Sequence, residues 1–180
     1  MMKNYEFTLN IGNISILNNE DLLNVSTVLY DGPCADSFVS SIDEAMYIEF
    51  ERKAVSLEAA IIQAIKDVES TKNYDLVVTS VEGDFVSLGE AAEATGISKS
   101  TLSKYKKGVF GGGGFPSPAR KIAKKDPLWR LWDIATWLYA KGKISESILT
   151  TSKTISLVNG ALEARKHQSD KEYSNIIAAI

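Results

Sequence analysis

The sequence predicts an α+β chain of 180 residues with two folded modules and a helical tail. Over residues 1–83, apolar residues alternate with polar ones in short runs, and this alternation twice gives way to helical spacing. Over residues 87–107, small, glycine and apolar residues fall where two short helices would meet at a tight turn. After Lys143, apolar residues return at intervals of four and three, as in a long helix. We therefore predict modules over 1–83 and 84–143 and a tail over 144–180.

The first module opens on a predicted strand. Its apolar residues alternate with polar ones, as in a half-buried strand, and they are Tyr5, Phe7, Leu9 and Ile11. A helix is predicted next, over residues 19–30. Its apolar residues share helical spacing and are Leu22, Val25 and Leu29. The helix should end at Asp31-Gly32-Pro33, which cannot continue it.

A hairpin, a helix and a last strand complete the first module. The hairpin strands are predicted over 38–42 and 45–52, around Asp43-Glu44. From the cap Ser56, an apolar stripe predicts an amphipathic helix: Leu57, Ala60, Ile61, Ala64, Ile65 and Val68. Residues 76–81 supply another strand. The resulting β-α-β-β-α-β order predicts a ferredoxin-like fold, in which two helices cover one face of a four-stranded antiparallel sheet.

The titratable residues of the chain favour neither a catalytic site nor a metal site. Glu49 and Glu51 share the face opposite the apolar face of their strand, which is typical of solvated carboxylates rather than of an acid-base pair. Cys34 and His167 are the only cysteine and histidine, so neither an internal disulfide nor a Cys/His zinc cluster can form. One distant histidine also leaves no nucleophile with its base. We predict a protein that is not an enzyme and carries no cofactor.

The stretch from Ser87 to Lys107 predicts a helix-turn-helix of the DNA-binding kind. Ala92 is small enough for the helices to touch there, Gly96 can adopt the left-handed turn, and Leu102 returns to the core. A serine is a good cap for the second helix. The outer face of that helix carries donors that suit phosphates and base edges: Ser98, Lys99, Ser100, Thr101, Ser103 and Lys104.

An ordinary helical hairpin with solvated lysines is the alternative interpretation of this stretch. The segment behind it favours DNA binding, because it adds basic residues, a short apolar strand and another amphipathic helix. It also contains the run Gly111–Gly114. A phosphate-binding loop would continue into Gly-Lys-Ser or Gly-Lys-Thr, whereas Phe115-Pro116 follows here, so we interpret the run as a flexible wing tip or hinge.

Three segments carry a family resemblance: Ser100-Thr101-Leu102, Phe115-Pro116-Ser117-Pro118 and Trp129–Leu138. In them the chain resembles the MerR-like group, especially its small AlpA/excisionase-type members, in which a helix-turn-helix is followed by a Phe-Pro-x-Pro wing and a tryptophan-bearing helix. The resemblance covers about residues 86–143, and the glycine run is an insertion relative to that pattern. It implies a winged helix-turn-helix that binds double-stranded DNA.

The charge distribution favours the same module. From Ser98 to Lys143 there are eleven Lys or Arg residues and two acids, a net charge of +9. The whole chain carries −3, so the remainder carries −12. A basic segment inside an acidic chain is the electrostatic pattern of polyanion binding confined to one face.

The basic residues beside the predicted recognition helix, Ser98–Lys107, should hold DNA phosphates or reach the minor groove from the wing. They are Lys106, Lys107, Arg120, Lys121, Lys124, Lys125 and Arg130. The recognition helix itself is expected in the major groove. The tryptophans Trp129, Trp132 and Trp137 lie around a helix start, a spacing that favours packing over stacking on bases.

The tail carries an apolar seam at coiled-coil intervals: Ile144, Ile148, Thr151, Ile155, Val158 and Leu162. Two interpretations stay open. The seam could pair two protomers, which makes the chain a homodimer. Alternatively, the helix packs on its own winged module, since the seam is under three heptads long and includes Thr151.

The sequence therefore predicts a cytoplasmic, sequence-specific DNA-binding protein, acting as a transcription regulator or as an excisionase-like architectural factor. No apolar run approaches the roughly 18 residues of a membrane span. An alternative is an antitoxin-like or adaptor protein, whose N-terminal module binds another protein while DNA binding serves autoregulation. A further alternative is a ligand sensor or enzyme built on the N-terminal sheet, which would need a pocket with convergent polar groups.

Overall fold

A computed structural model describes all 180 residues. The protein is α+β, with a four-stranded antiparallel sheet, a two-stranded sheet and seven helices. It divides into two compact units, a first unit of residues 1–82 with 157–180 and a second unit of residues 83–156. The division within the C-terminal part thus falls between residues 156 and 157, whereas the sequence suggested a separate tail from 144.

The N-terminal part of the first unit contains the predicted β-α-β-β-α-β order of elements. They are β1 (Lys3–Ser15), α1 (Asn19–Asp31), β2 (Ser37–Ile42), β3 (Ala45–Ala54), α2 (Leu57–Glu69) and β4 (Val78–Val81). The strand order is β2-β3-β1-β4, and each neighbouring pair is antiparallel. The two edges of the sheet are therefore β2 and β4.

Local sequence accounts for the ends of these elements. Asn18 caps α1, because its side-chain oxygen accepts the N–H groups of Glu20 and Asp21. The Ser56 hydroxyl caps α2 in the same way. The β2–β3 turn is the predicted one, and Asp43 and Glu44 both adopt positive φ angles, of 48° and 67°, as a two-residue hairpin turn requires.

The core of the first unit lies on one face of the sheet. Its largest fully buried side chains include Leu9 and Ile48 from the sheet and Leu29 and Ile61 from the helices. All six residues of the predicted α2 stripe are buried, which confirms that interpretation. The Glu49 and Glu51 side chains are exposed on the other face, again as predicted.

An ion-pair network around the buried Arg52 was not anticipated from the sequence. Arg52 sits on the core side of β3, and its guanidinium donates to the Asp36 carboxylate at 2.7 and 2.8 Å and to Asp67 at 2.6 Å. The Asp36 hydrogen bond, followed by the Asp67 bond, raises the pKa of Arg52. Cys34 is fully buried nearby, and burial raises the pKa of its thiol to about 11. The alternation of β3 places Arg52 on its apolar face, but only the docking of other elements brings Asp36 and Asp67 to it.

The second unit contains two short strands and three complete helices: β5 (Phe85–Val86), α3 (Leu88–Thr95), α4 (Lys99–Lys106), β6 (Trp129–Arg130) and α5 (Leu131–Ala140). The strands pair antiparallel, with Phe85 opposite Arg130 and Val86 opposite Trp129. The strand β6 therefore returns beside the strand that leads into α3, and the loop between α4 and β6 projects from this frame.

The last two helices are α6 (Glu146–Lys166), which begins in the second unit and ends in the first, and α7 (Lys171–Ala179). Ile155 and Leu162, which belong to the predicted seam, are buried within the single chain. In the first unit, the Asn159 amide bonds to the backbone of Val81, and Arg165 bonds to Glu69 and to the Val78 carbonyl. Part of the seam is therefore buried inside the chain, and we do not assign a dimer contact to it.

None of the helices combines the length and the hydropathy that a membrane-crossing segment needs.

Candidate nucleic-acid interface

The two helices of the candidate interface are capped by their own sequence. At the start of α3, the Glu90 N–H donates to the Ser87 hydroxyl, and the Glu90 carboxylate accepts the Ser87 N–H, forming a capping box. Gly96 ends α3 in the left-handed conformation at φ 70°, as predicted. The Ser98 hydroxyl caps α4 by accepting the Thr101 N–H at 3.2 Å. The residues from Ser87 to Ser98 therefore fix the start and end of α3, the turn and the start of α4 through local hydrogen bonds and backbone conformation.

Two adjacent alanines of α3 adjoin the core of the second unit, the predicted Ala92 and its neighbour Ala91. Ala91 is fully buried in the core of the second unit, whereas Ala92 is only partly buried against it. Leu102 returns from α4 to that core and is fully buried, as predicted.

A hairpin-like loop, the predicted wing, follows α4 and ends at β6. The N–H groups of Ala119 and Arg120 donate to the Leu128 carbonyl, and the Leu128 N–H donates back to Arg120 at 3.0 Å. These bonds close a tip over residues 121–127, where Lys121 has a positive φ of 53°. The tip exposes Lys121, Lys124 and Lys125.

The glycine run is not the free tip that the sequence suggested. All four residues of Gly111–Gly114 have positive φ angles between 71° and 79°. The Gly113 carbonyl accepts the indole N–H of Trp137 at 3.2 Å. At Gly111 a Cβ atom would lie 2.6 Å from the Trp137 ring. The run is therefore a left-handed turn packed on α5, and glycine is required there by conformation and by space.

Two of the three tryptophans hold the wing and the helices together. Trp129 is 2% exposed and donates to the Pro116 carbonyl at 3.0 Å. Trp137 packs between Tyr105 and Phe115, with ring centroids 4.9 and 5.4 Å away. The predicted anchoring role is thus confirmed for these two. Trp132 lies outside this core cluster and is partly exposed.

The polar residues predicted on the recognition helix fall into two groups. Lys99, Ser100 and Lys104 are exposed. Thr101 and Ser103 are half-buried. Ser98 is exposed, but its hydroxyl is engaged by the cap and lies 3.0 and 2.8 Å from the hydroxyls of Ser100 and Thr101, so its main role is structural.

The predicted phosphate-binding residues differ in their exposure and in their contacts within the unit. Six of the seven are exposed: Lys106, Lys107, Arg120, Lys121, Lys124 and Lys125. The Arg120 guanidinium lies 3.7 Å from the centre of the Phe85 ring, so its position is fixed by a cation–π contact. Arg130 is half-buried, 5.0 Å from the same ring, and its Nε lies 3.8 Å from the carboxylate of the buried Asp84. Part of the charge of Arg130 is therefore compensated inside the unit.

Phe85 and Asp84 were not singled out from the sequence. Phe85 lies on β5, opposite Arg130, and its ring orders two arginines at the base of the wing. An aromatic residue before a helix cap carries no signal for that role, because the arginines come from a segment about 40 residues later in the chain.

The segment that runs from α4 into the wing is rich in positive charge. No acidic residue occurs from residue 94 to residue 125, while eight Lys or Arg residues do. Twelve of the thirteen predicted contact residues lie in this interval, and the exception is Arg130. No group of three or more His, Cys, Asp or Glu side chains is placed to hold a metal ion.

Comparisons of the chain with protein-family models, with curated proteins and with solved structures return no match. The MerR-like and AlpA/excisionase-like resemblance of residues 86–143 therefore stays a prediction from the motifs, and the function has to be argued from the geometry of the second unit.

Proposed function

We propose that the chain binds double-stranded DNA through its second unit, with α4 in the major groove and the wing on the adjacent backbone. The observation that carries this proposal is a short capped helix, α4, followed in the chain by a hairpin tip with three exposed lysines, with no acid from residue 94 to residue 125. Such a surface meets both requirements of DNA recognition, a narrow element that can enter a groove and cations that neutralise phosphates.

The roles of the side chains follow from their exposure. Ser100 and Lys104 are exposed on α4 and can donate to base edges. Lys121, Lys124 and Lys125 at the wing tip are free to meet phosphates or the minor groove, which positions α4 without reading sequence. Arg130 faces Asp84, so we assign it to the support of the wing rather than to DNA.

The same proposal includes an assignment of each unit to a known type of fold. We interpret the sheet order β2-β3-β1-β4, with its two helices, as ferredoxin-like. We interpret β5-α3-α4-wing-β6-α5 as a winged helix-turn-helix. A protein of this composition would act in the cytoplasm as a transcription regulator or as an architectural factor.

The proposal is tested by selection of bound duplexes from a random pool, followed by sequencing. A shared sequence should be enriched, and retention of the pool should fall as salt is raised. Two triple variants that each remove three lysines test whether binding depends on the wing or only on the total charge. The variant Lys121→Ala/Lys124→Ala/Lys125→Ala should no longer retain the DNA pool. The variant Lys53→Ala/Lys66→Ala/Lys72→Ala, in the first unit, should retain it as the unaltered chain does. Equal loss in both triple variants, or no retention by the unaltered chain at low salt, would contradict the proposal.

The adaptor alternative draws on one observation in the first unit. Phe38 and Ile42 on β2 are exposed although both are apolar. An exposed apolar strand edge is suited to a protein contact.

A further inference from the structure

The two edge strands of the four-stranded sheet differ in whether another part of the chain covers them. At the β4 edge, the outward N–H and C=O of Val81 are both bonded by the Asn159 side chain, at 2.7 and 2.8 Å, and Arg165 bonds the Val78 carbonyl at 3.1 Å. The α6 helix therefore covers this edge. Nothing comparable covers β2.

The free backbone groups of β2 can be identified from its pairing with β3. The Glu51 N–H donates to the Asp36 carbonyl, so even-numbered residues here point their backbone groups toward β3. Ser37 points the other way, since its N–H donates to the Cys34 carbonyl. Because backbone groups alternate in direction along a strand, Val39 and Ser41 also direct their N–H and C=O groups outward, away from β3.

The β2 edge also lacks the features that usually protect an edge strand. Its sequence, SFVSSI, has no charged residue and no proline, and its register with β3 has no bulge. Phe38 is 68% exposed and Ile42 is 62% exposed, both on the face away from the helices. Tyr30 of α1 is exposed as well and lines a shallow cleft together with Phe38. The edge is therefore an apolar, unpaired strand.

We propose that β2 pairs antiparallel with β2 of a second copy of this chain, so that the two sheets join into one of eight strands. The two-fold axis would pass beside Ser40. In this register Ser40 faces Ser40 of the partner subunit, and Phe38 faces Ile42 of the partner subunit. Val39 then faces Ser41 of the partner subunit, so the outward backbone groups meet in hydrogen-bonded pairs.

The register is constrained by the faces of the sheets. Around a two-fold axis perpendicular to the sheet, the exposed faces of both copies lie on the same side only if even-numbered residues oppose even-numbered ones. Centring on Ser40 satisfies that condition and also places each exposed Phe38 against an exposed Ile42. The strand is thus complementary to itself, which is the requirement of a two-fold interface.

A second copy fits this edge better than a charged partner does. The strand has no charge with which to select a basic or an acidic peptide. Two copies do bring the acidic turn, Asp43 and Glu44, toward Asp36 of the partner subunit. That repulsion is weakened because Asp36 is paired with Arg52 and because salt screens exposed charges beyond about 8 Å at physiological ionic strength. This inference does not require the second unit to bind DNA.

A charge exchange at Ser40 tests the pairing. Ser40→Lys and Ser40→Glu each place two like charges about 4.5 Å apart between their backbones at the axis. By light scattering, the unaltered chain should have twice the chain mass, each variant should have the chain mass, and a mixture of the two variants should recover twice the chain mass. The control Thr8→Lys lies on the same face in the interior strand β1 and should stay dimeric.

A second variant tests whether a loss of the dimer comes from the blocked edge and not from misfolding of the sheet. Ser41→Pro removes an N–H that points away from β3, so it should give a monomer while leaving the β2–β3 pairing intact. An unaltered chain that remains a monomer, a Ser40→Lys chain or a Ser41→Pro chain that remains a dimer, or a folded mixture that does not associate would each overturn the proposal.

Discussion

The side-chain amide of Asn159 forms both hydrogen bonds that the backbone of Val81 offers, accepting its N–H at 2.7 Å and donating to its C=O at 2.8 Å. An amide side chain has the same donor and acceptor groups as a peptide unit. One residue of α6 thereby replaces a neighbouring strand at the end of β4, 78 residues earlier in the sequence. This contact joins the last part of α6, from residue 157, to the sheet of the first unit.

Removal of the Asn159 amide should destabilise the first unit. Asn159→Ala leaves the N–H and C=O of the buried Val81 without partners, and an unsatisfied buried polar group costs about 1–3 kcal/mol. Urea unfolding measures the loss. Asn175→Ala, on the exposed face of α7, is the control and should change stability by less than about 0.5 kcal/mol. Equal effects of both variants would mean that the Val81 contact does not stabilise the fold.

Enlarging Ala91 should disturb the contact between α3 and the core. Ala91→Leu inserts a larger side chain where no surface is exposed, and overpacking costs about 1–3 kcal/mol. DNA affinity should fall with it, because α3 supports α4. Ala94→Leu is the matched control on the exposed side of the same helix. Unfolding curves and DNA titrations that did not distinguish the two variants would contradict the assigned core position.

Alanine substitutions in the glycine turn should separate the cost of backbone strain from the cost of a steric clash. Gly111 and Gly112 both have positive φ, so alanine at either position costs about 1–2 kcal/mol from the left-handed conformation. Only Gly111→Ala also brings a Cβ to 2.6 Å from the Trp137 ring, whereas Gly112→Ala meets only the flexible end of Lys141 at 3.9 Å. Thermal unfolding should therefore rank Gly111→Ala as the less stable variant. The reverse order would refute the packed turn.

The wing and α4 should contribute differently to DNA binding. Lys121→Ala or Lys124→Ala should weaken binding to all duplexes about equally and lower the log-log salt slope by about 1. Ser100→Ala or Lys104→Ala should instead reduce the preference for the selected sequence, by about 1–3 kcal/mol if the residue contacts a base edge in two places. Fluorescence anisotropy at several salt concentrations measures both quantities. If all four variants lowered only the general affinity, the recognition role of α4 would be wrong.

Cys34 should make stability decline in alkaline solution. Burial raises the pKa of the thiol from 9.0 to about 11, so the folded chain retains a proton that the unfolded chain loses. The stabilisation is fully present below pH 9 and is lost as pH rises from about 9 through 11. Cys34→Ala should flatten this part of the stability profile. A thiol reagent at neutral pH should react slowly with the folded chain and rapidly after unfolding, and fast reaction of the folded chain would contradict the burial.

The sequence by itself determined the features that depend on near neighbours. The Asp43-Glu44 turn, the Ser56 cap with its apolar stripe, and the left-handed Gly96 were all predictable, because a turn, a cap or a helical face is set by residues a few positions apart. The order of strands and helices follows from the same local signals.

Only the tertiary structure decided which surfaces meet. The seam of α6 was visible as a stripe, yet a stripe specifies a face and not its partner, and here part of it is buried in the chain itself. Arg52 looked like one more strand charge until Asp36 and Asp67 were brought to it. Contacts between residues far apart in the chain depend on how whole elements dock, which is a sum over many side chains and leaves no pattern within a short window of sequence.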